Sequence, residues 1–437
     1  MNICMFTNTY LPHVGGVARS VAAFSSDLYR RGHHVLVVAP TFSGNDEEEI
    51  EGVDIHRVPA IQNVNGSDFS VRIALPFVID EAIDAFAPDL IHSHHPFLLG
   101  DAALRAARRR KRPLVFTHHT LYERYTHYVP LNSPQMKRFV IHLSTEYANL
   151  CNAVVAPSRS VADLMRERGV RTRIEEIPTG VDMEFFASGD RERFRRTCGI
   201  PDAAPVIGHV GRLAPEKNLD YLAEAVALCL KRQEEVRFVL VGDGPSREEI
   251  RQVFEAQDLG SRLVSPGAKS GADLADAYAA MDLFAFSSTS ETQGMVLAEA
   301  MASRTPVVAL DASGSREVVQ DGENGRLLSP DTSPAEFARA LDGLLDDPAS
   351  LDRARTRALK TAQGLSRESC AVRLERLYTD ILKRDPAASR PAPENLDPWE
   401  SLLAALKAEW DLISEKTTAA VSTLREEQEK TDRRRAS

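Results

Sequence analysis

Near its start the chain carries NICMF at residues 2–6 and HVLVVAP at residues 34–40. Unbroken apolar runs of this length are typical of strands that are buried on both faces. Between them lie a loop with Gly15 and Gly16 and a helical pattern over 18–31. Strand, glycine-bearing loop, helix and strand make a βαβ unit, which implies a parallel sheet.

The loop at Gly15 and Gly16 does not follow the G-x-G-x-x-G order, so it lacks the fingerprint of nicotinamide dinucleotide binding. The two glycines could still bring backbone N–H groups close to a phosphate where the helix starts. A tight turn that needs no ligand is the alternative, and the sequence leaves both open.

The alternation of strand and helix patterns continues through both halves of the chain. Further strand patterns occur at 90–94, 113–117 and 151–158, and the segment 174–182 closes the first half. The second half has strand patterns at 205–210, 238–241, 283–287 and 306–310. The polar segment 183–204 separates the two series, and we predict that it is a linker. We therefore predict an α/β protein with two Rossmann-like parallel-sheet domains that face a central cleft. The first domain spans 1–190 and is joined by a helix at 366–384, and the second spans 200–365.

Composition narrows the class of protein. A chain of 437 residues is too long for one ordinary core, and its net charge of −10 argues against general nucleic-acid binding. The five cysteines form no CxxC pair, which favours reduced thiols over a disulfide framework or a zinc site. The sequence shows no signal-peptide pattern and no apolar run of about 18 residues. We therefore expect a cytoplasmic protein that is neither secreted nor membrane-spanning.

The second series contains a turn that runs into an apolar helix, Ser290 to Met301. Glu299 lies inside the apolar helix, and a carboxylate is costly to bury unless it is hydrogen-bonded. Glu291 lies at the helix mouth, where open backbone N–H groups attract anions. The turn could therefore bind a polyhydroxylated, phosphorylated ligand. A buried glutamate paired with a core arginine is the alternative.

A loop at 211–218 carries Arg212, Glu216 and Lys217 between a strand and a helix. Two cations at the carboxyl end of a strand, beside a helix N-terminus, suit a diphosphate. Structural ion pairs are the alternative. The next strand ends at a Gly-Asp-Gly-Pro turn, 242–245, whose glycines permit close backbone approach.

Histidines and tyrosines are dense in the segment 117–128, after a predicted strand. Ligands of α/β proteins bind at the carboxyl ends of strands, so we expect these side chains to recognise a polar substrate. Three histidines also fit a metal, but the segment has no H-x-x-x-H helix with an additional acid. The candidates here are His118, His119, Tyr122, Tyr125 and His127.

Two stretches could meet a membrane surface. The basic cluster 105–112 ends a predicted helix, where the helix dipole favours cations in any case, and contact with anionic lipid is the alternative. The segment 385–398 is rich in Pro and Ala, as in a flexible linker. The tail 399–437 begins with amphipathic helical spacing and carries Trp399 and Trp410. We expect this helix to pack on the protein, on a partner or in a membrane interface.

Several of these motifs occur in one order at the expected separations: the Gly15-Gly16 loop, Pro178 to Asp182, Gly211 to Lys217, Val241 to Pro245, Glu291 and Glu299. Over about residues 1–384, the ordered set resembles family-4 retaining glycosyltransferases of the GT-B fold. The segments 118–128 and 291–294 look more narrowly like bacterial diacylglycerol glucosyltransferases. One departure is Ser303-Arg304, since the family commonly has a glycine near position 304.

The resemblance implies roles for the residues that match the family's motifs. Arg212 and Lys217 would hold the donor diphosphate and stabilise the leaving nucleotide. Glu299 would bind the ribose hydroxyls, and Glu291 would hold the transferred sugar. The implied donor site is completed by Gly16, Thr292, Gln293, Gly294, Met295 and Val296.

The resemblance also implies a chemistry and its partners. His119 best matches the histidine near the reacting carbon, with His118 as its rival, and Tyr122, Tyr125 and His127 would lie on the acceptor side. The leaving phosphate would help to deprotonate the acceptor in a front-face substitution that requires no metal or cofactor. The expected donor is a UDP-hexose, with glucose as the sugar, and the expected acceptor is a diacylglycerol-type lipid at the inner face of the membrane. The alternatives are a soluble sugar or polysaccharide acceptor, a GT-B-like epimerase or phosphorylase, and a non-catalytic nucleotide-sugar binder.

Overall fold

The computed structural model describes residues 1–12, 15–41, 50–61, 71–72, 76–124, 133–289 and 291–384. The chain divides into two compact units. The first comprises Met1–Thr179 and Ala371–Ser437, and the second comprises Gly180–Cys370. The chain therefore enters the second unit after Thr179 and returns to the first inside the last described helix.

A parallel sheet forms the centre of the first unit. Its strands within the described residues are β1 (Asn2–Phe6), β2 (His34–Pro40), β3 (Val53–Val58), β6 (Leu90–Ser93), β7 (Leu114–Thr117), β8 (Ala153–Ala156) and β9 (Ile174–Glu176). They lie in the order β3-β2-β1-β6-β7-β8-β9, and every neighbouring pair is parallel. A short antiparallel pair, β4 (Ala60–Ile61) with β5 (Val71–Arg72), is separate from this sheet.

Helices between these strands bury the sheet. They are α1 (Gly16–Arg30), α2 (Pro76–Phe86), α3 (Leu99–Arg110), α4 (Pro134–Asn149) and α5 (Arg159–Glu167). Ser133 and Ser158 precede α4 and α5, and their hydroxyls accept backbone N–H groups of the first helical turn. In β1 every residue from Ile3 to Phe6 is fully buried, which explains why the strand is apolar throughout.

The second unit repeats the plan with a second parallel sheet. Its described strands are β10 (Val206–Val210), β11 (Arg237–Val241), β12 (Leu263–Gly267), β13 (Leu283–Phe286), β14 (Val307–Leu310) and β15 (Gly325–Leu328), in the order β12-β11-β10-β13-β14-β15. Its helices are α6 (Met183–Ala187), α7 (Arg191–Cys198), α8 (Leu219–Arg232), α9 (Arg247–Glu255), α10 (Gly271–Ala279), α11 (Met295–Ala302), α12 (Pro334–Leu345) and α13 (Pro348–Gly364). The final helix, α14 (Arg367–Arg384), crosses back into the first unit.

In both sheets the strand order reverses beside the first strand. The chain builds outward from β1 to β3 and then adds β6 on the other side of β1, and β10 is flanked in the same way by β11 and β13. Ligands of α/β proteins bind outside the carboxyl ends of the strands at such a switch point. The prediction of two parallel-sheet α/β domains is confirmed.

The predicted linker at 183–204 is wrong, because this segment folds as α6 and α7. Phe186 and Phe194 project from the two helices into the core of the second unit. Arg195 is 1% exposed, and its guanidinium donates to the carbonyls of Asp202 and Ala204, each at 2.9 Å. This polar segment therefore forms two short helices, each of which buries one face.

Two arginines of the basic cluster at 105–112 form ion pairs within the first unit. Arg110 is almost fully buried and contacts Asp80 and Asp84 on α2, at 2.9 and 2.7 Å. Arg109 contacts Asp80 at 2.5 Å. These pairs favour a structural role over lipid contact for the two arginines. The tail 399–437 lies outside the described residues, and within those that are described no helix has the length and apolarity that a membrane crossing needs.

Candidate functional site

Two loops at the carboxyl edge of the second sheet pack backbone against backbone. The N–H of Gly211, just after β10, donates to the Val241 carbonyl at 3.0 Å. Leu213 donates in the same way to the Asp243 carbonyl at 2.9 Å. A Cβ on Gly244 would lie 2.3 Å from the Leu213 carbonyl oxygen, so a glycine is required there. The Gly-Asp-Gly turn thereby fixes the course of the loop that carries the two predicted cations.

Lys217 and Glu291 meet at this edge although 74 positions separate them in the sequence. The Lys217 Nζ lies 2.5 Å from the Glu291 Oε1, and each side chain is 21% exposed. The hydroxyl of Ser287, just after β13, donates to the carbonyls of Lys217 and Asn218 at 3.1 and 2.8 Å. The end of β13 therefore holds the turn that presents the ammonium group.

Arg212 lies on the same loop and forms an ion pair with Glu216. Its side chain is 50% exposed, so the pair contributes little to stability and the guanidinium can change partners. Arg212 and Lys217 thus each form an ion pair with a carboxylate. The two interpretations of this loop, structural ion pairs and a diphosphate site, are compatible, because a phosphate would compete for the same donors.

The turn before α11 needs glycine at its last position. Gly294 has φ +66°, and a Cβ there would lie 2.5 Å from the Gly314 carbonyl oxygen. The helix begins at the next residue, Met295, and Val296 belongs to its first turn, whose N–H groups point out of the helix end. Thr292 and Gln293 lie between Glu291 and this end. The helix N-terminus therefore lies close along the chain to the carboxylate that contacts Lys217.

The carboxylate inside α11 has a hydrogen-bond donor. The hydroxyl of Tyr278, a fully buried residue of α10, donates to the Glu299 Oε2 at 2.6 Å. Glu299 itself is only half-buried, so part of its carboxylate can reach a ligand. The predicted need for a partner is met by a hydroxyl that no feature of the sequence singles out.

The end of α11 accommodates the departure from the family pattern at 303–304. Arg304 adopts φ +62°, the left-handed conformation that a glycine takes without steric cost. Its N–H still donates to the Met301 carbonyl at 3.0 Å. The turn is therefore kept with an arginine in the place of a glycine.

Three histidines stack at the carboxyl ends of β6 and β7 in the first unit. His94 and His119 join through Nδ1 and Nε2 at 2.9 Å. His92 lies 4.2 Å from the His94 ring and contacts the hydroxyls of Tyr378 and Thr117 at 2.6 and 2.7 Å. Burial lowers the pKa of His92 to about 3. Burial, with a smaller effect of His92, lowers the pKa of His94, and burial, with a smaller effect of His118, lowers the pKa of His119 to about 3. The stack is therefore uncharged at neutral pH.

His118 lies away from the His92–His94–His119 stack, among aromatic rings. It packs edge-on against Phe116 and Tyr122, with centroids 5.8 and 5.7 Å away. Neither of its ring nitrogens, nor the Tyr122 hydroxyl, has a hydrogen-bond partner among the described residues. Burial, with a smaller effect of Arg168, lowers the pKa of His118 to about 3, and burial raises the pKa of Tyr122. His119, not His118, is hydrogen-bonded to a second imidazole.

For the remaining predicted residues, Gly16, Tyr125 and His127, the structure gives little evidence of a role. Gly16 is the first residue of α1, and a Cβ on it would meet nothing within 4 Å of the described atoms. Tyr125 and His127 lie outside the described residues. Across the described ranges, no group of three or more histidine, cysteine, aspartate or glutamate side chains is placed to hold a metal ion.

Sequence reasoning missed four residues that shape these sites: His94, His209, Tyr278 and Tyr378. His209, in β10, donates from Nδ1 to the Ala285 carbonyl at 3.0 Å and stacks near Phe284 and Phe286. Burial is the main cause that lowers its pKa to about 4. Their only signal in the sequence is a polar side chain within or next to an apolar run.

The two sheet edges offer different chemistry. The second unit presents cations, carboxylates and a helix N-terminus, which suit a phosphorylated, hydroxyl-rich ligand. The first unit presents neutral imidazoles, which exchange hydrogen bonds with hydroxyl groups without adding charge.

Two family models match the chain one after the other. "Glycosyltransferase Family 4" matches residues 14–185, and "Glycosyl transferases group 1" matches residues 190–361. A GDP-mannose-dependent alpha-mannosyltransferase of Mycobacterium tuberculosis is 34% identical over 333 residues, which cover 75% of this chain and 84% of that protein. An alpha-monoglucosyldiacylglycerol synthase of Streptococcus pneumoniae is 30% identical over 316 residues, 71% of each chain.

The fold is also similar to solved structures. The crystal structure of Anabaena HepE in complex with UDP matches with a TM-score of 0.71 and 23% identity, over 87% of this chain and 100% of that chain. At this level of identity the likeness shows the fold alone.

Proposed function

The chain belongs to glycosyltransferase family 4, with the GT-B fold, and on this basis we propose that it transfers a hexose from a nucleotide sugar to an acceptor hydroxyl with retention of configuration. The observation that carries the proposal is the contact between Lys217 and Glu291 at the carboxyl edge of the second sheet, on the loop that also carries Arg212. Two cations and a carboxylate at the carboxyl edge of a parallel sheet are side chains that suit a sugar diphosphate, and this supports the proposal.

We assign the donor contacts as follows. Arg212 and Lys217 bind the diphosphate and stabilise the negative charge that develops on the leaving nucleotide. Glu291 binds hydroxyls of the transferred hexose, with the backbone of 292–296 beside it, and Glu299 binds the ribose hydroxyls. Gly16 adds a backbone contact to phosphate. Since cations do the charge work, the reaction needs no metal or cofactor.

The acceptor side belongs to the first unit in this proposal. His119 orients the transferred sugar at the reacting carbon, and His118 and Tyr122, with Tyr125 and His127, face the acceptor. The leaving phosphate takes the acceptor proton, so no carboxylate nucleophile of the glycosidase type is required.

We propose UDP-glucose as donor and a diacylglycerol-type lipid as acceptor, at the cytoplasmic face of a membrane. Support comes from the name of the Streptococcus pneumoniae relative and from the segments 118–128 and 291–294. A second candidate is mannose transfer from GDP-mannose, which the name of the Mycobacterium tuberculosis relative favours.

The test pairs UDP-glucose and GDP-mannose with diacylglycerol vesicles and with soluble sugars, and identifies the anomer of each product by NMR. Arg212→Ala, Lys217→Ala and Glu299→Ala should each lose transfer, by about 100-fold or more for the two cations. Lys231→Ala, an exposed lysine at the end of α8, is the matched control and should keep full activity. Undiminished turnover in all three site variants would contradict the proposal, and an inverted product would contradict retention.

A further inference from the structure

His94 meets His119 through a single ring contact, Nδ1 to Nε2, at 2.9 Å. The two rings lie 5.2 Å apart and are tilted by 23°. His94 is fully buried directly after β6, and its backbone N–H donates to the Phe6 carbonyl at 2.9 Å, so its ring has little freedom to move. Two ring nitrogens can share such a contact only if one carries a proton and the other a lone pair.

The surroundings decide which histidine donates. Both rings are neutral, so each carries one N–H. If His119 donated from Nε2, His94 would hold its own proton on its Nε2. That atom is buried and has no hydrogen-bond partner among the described residues. Orphaned buried N–H donors are rare in folded proteins because nothing replaces the lost water. The reverse arrangement, with His94 donating from Nδ1, leaves no such donor.

We propose that His94 is a positioning residue that donates from Nδ1 to His119 and thereby holds His119 in its Nδ1–H tautomer. His119 then presents an N–H donor, not a lone pair, to the bound hexose. This inference rests on the proposed function, in which His119 lies at the reacting carbon.

The assignment has a chemical consequence. The lone pair of His119 is occupied by His94, so His119 cannot take the proton of the acceptor hydroxyl as a general base. It can donate a hydrogen bond to a hydroxyl oxygen of the transferred sugar and so fix the sugar's orientation. Deprotonation of the acceptor is then left to the leaving phosphate.

The direct test is the tautomer of His119 in the full-length, ligand-free protein. Histidine labelled with ¹⁵N allows long-range proton–nitrogen correlation spectra to distinguish a protonated ring nitrogen from a bare one, and His119→Asn assigns the signals. We expect the Nδ1–H tautomer in the wild type between pH 6 and 8. In His94→Leu we expect the Nδ1–H tautomer of His119 to lose its preference, because His119 Nε2 no longer accepts a hydrogen bond from His94.

Kinetics supply a second readout. His94→Leu should lower kcat for transfer about tenfold, since a neutral hydrogen bond in the transition state is lost, and should change the donor KM by about twofold or less. His94→Asn keeps an N–H donor near the Nδ1 position and should recover most of kcat. His33→Leu removes a histidine at the opposite end of the same sheet and serves as the control, with wild-type kcat expected.

An Nε2–H tautomer of His119 in the wild type would overturn the inference, and so would an unchanged tautomer in His94→Leu. The wild-type spectrum decides even if His94→Leu fails to fold. Should the wild type transfer no hexose to any acceptor, the proposed function fails, while the spectra still decide the role of His94.

Discussion

At the carboxyl end of β7, His118 places a titratable ring among aromatic side chains, where burial holds its pKa at about 3. In an unfolded chain the same ring titrates near pH 6.5. Between these two values the unfolded chain binds a proton that the folded protein does not, so stability rises with pH. Above about pH 6.5 there is no penalty, and each unit below it costs about 1.4 kcal/mol.

Replacing His118 by phenylalanine should remove this dependence. Phenylalanine fits an aromatic pocket and leaves no ring nitrogen unpaired, so the thermal midpoint at pH 7.5 should be equal to or above that of the wild type. At pH 5.5 the variant should exceed the wild type by an additional 1.4 kcal/mol or so. Calorimetry at both pH values measures this, with His34→Phe, an exposed position on β2, as control. Identical pH slopes for His118→Phe and the wild type would show that the ring is not held neutral.

Tyr278 offers a second test at the scale of one residue. Its hydroxyl donates to Glu299 at 2.6 Å, and Tyr278→Phe deletes that bond while it keeps the ring in the core. If Glu299 binds ribose, a less well-held carboxylate should raise the donor KM roughly threefold to tenfold, with little change in kcat. Tyr221→Phe deletes a comparable bond, to the Thr332 carbonyl at 2.8 Å, and should leave KM unchanged. Equal KM effects in both variants would reduce the role of Tyr278 to packing.

Among the elements, the turn after β11 depends most on the absence of a side chain. Gly244 has φ +150°, and a Cβ there would strike the Leu213 carbonyl oxygen. Gly244→Ala should therefore destabilise the second unit by more than about 2 kcal/mol and weaken donor binding, because Leu213 belongs to the cation-bearing loop.

The matched control is a glycine without such a constraint. Gly343 lies in α12, where a Cβ would meet nothing within 4 Å of the described atoms. Gly343→Ala should stabilise the protein by about 0.5–1 kcal/mol, since alanine is the better helix former. Urea unfolding of both variants, with isothermal titration of the donor nucleotide, checks the pair. Equal effects of the two substitutions would mean that the turn has no special geometry.

Elements with strong local signals could be predicted from the sequence. Predicted and observed strands agree within two residues at β1, β2 and β11, since apolar runs between glycines and polar loops leave few alternatives. The helices α6 and α7 could not be predicted from the sequence. Most of their residues are polar, and each has only a few buried apolar residues, such as Phe186 and Phe194. Arg195 looks like a surface charge in the sequence and becomes a buried donor to backbone carbonyls only in the fold.

The whole molecule decides what no local pattern shows, namely which residues meet. Lys217 and Glu291 each stood out in the sequence, but their contact depends on β10 and β13 lying side by side. Nothing in the sequence pairs Tyr278 with Glu299 or His94 with His119, because both contacts arise only in the tertiary structure. Many residues of the proposed site could therefore be picked out from sequence motifs, whereas the hydrogen bonds among them are visible only in the structure.

The two units differ in how many buried, neutral histidines they contain, and this predicts that acid and nucleotide act on different parts of the chain. In the first unit, burial lowers the pKa values of His92, His94, His118 and His119 well below 6.5. In the second unit, burial lowers the pKa of His209 in the same way. A change from pH 7.5 to 5.5 should therefore cost the first unit about 1.4 kcal/mol per histidine, several times the loss in the second.

A bound nucleotide should stabilise the second unit, whereas acid destabilises the first. UDP or GDP at about 100 times its Kd should stabilise the second unit by about 2.7 kcal/mol, through the loop at Arg212 and the turn before α11. Hydrogen exchange read by mass spectrometry separates the two effects, once exchange rates are corrected for pH. We expect acid to speed exchange chiefly in β6 and β7, and nucleotide to slow it chiefly in β10 and α11. Lys217→Ala should abolish the protection by nucleotide and leave the acid response intact. Protection that begins at β6 and β7 instead would mean that the cation-bearing loop is not where the nucleotide binds.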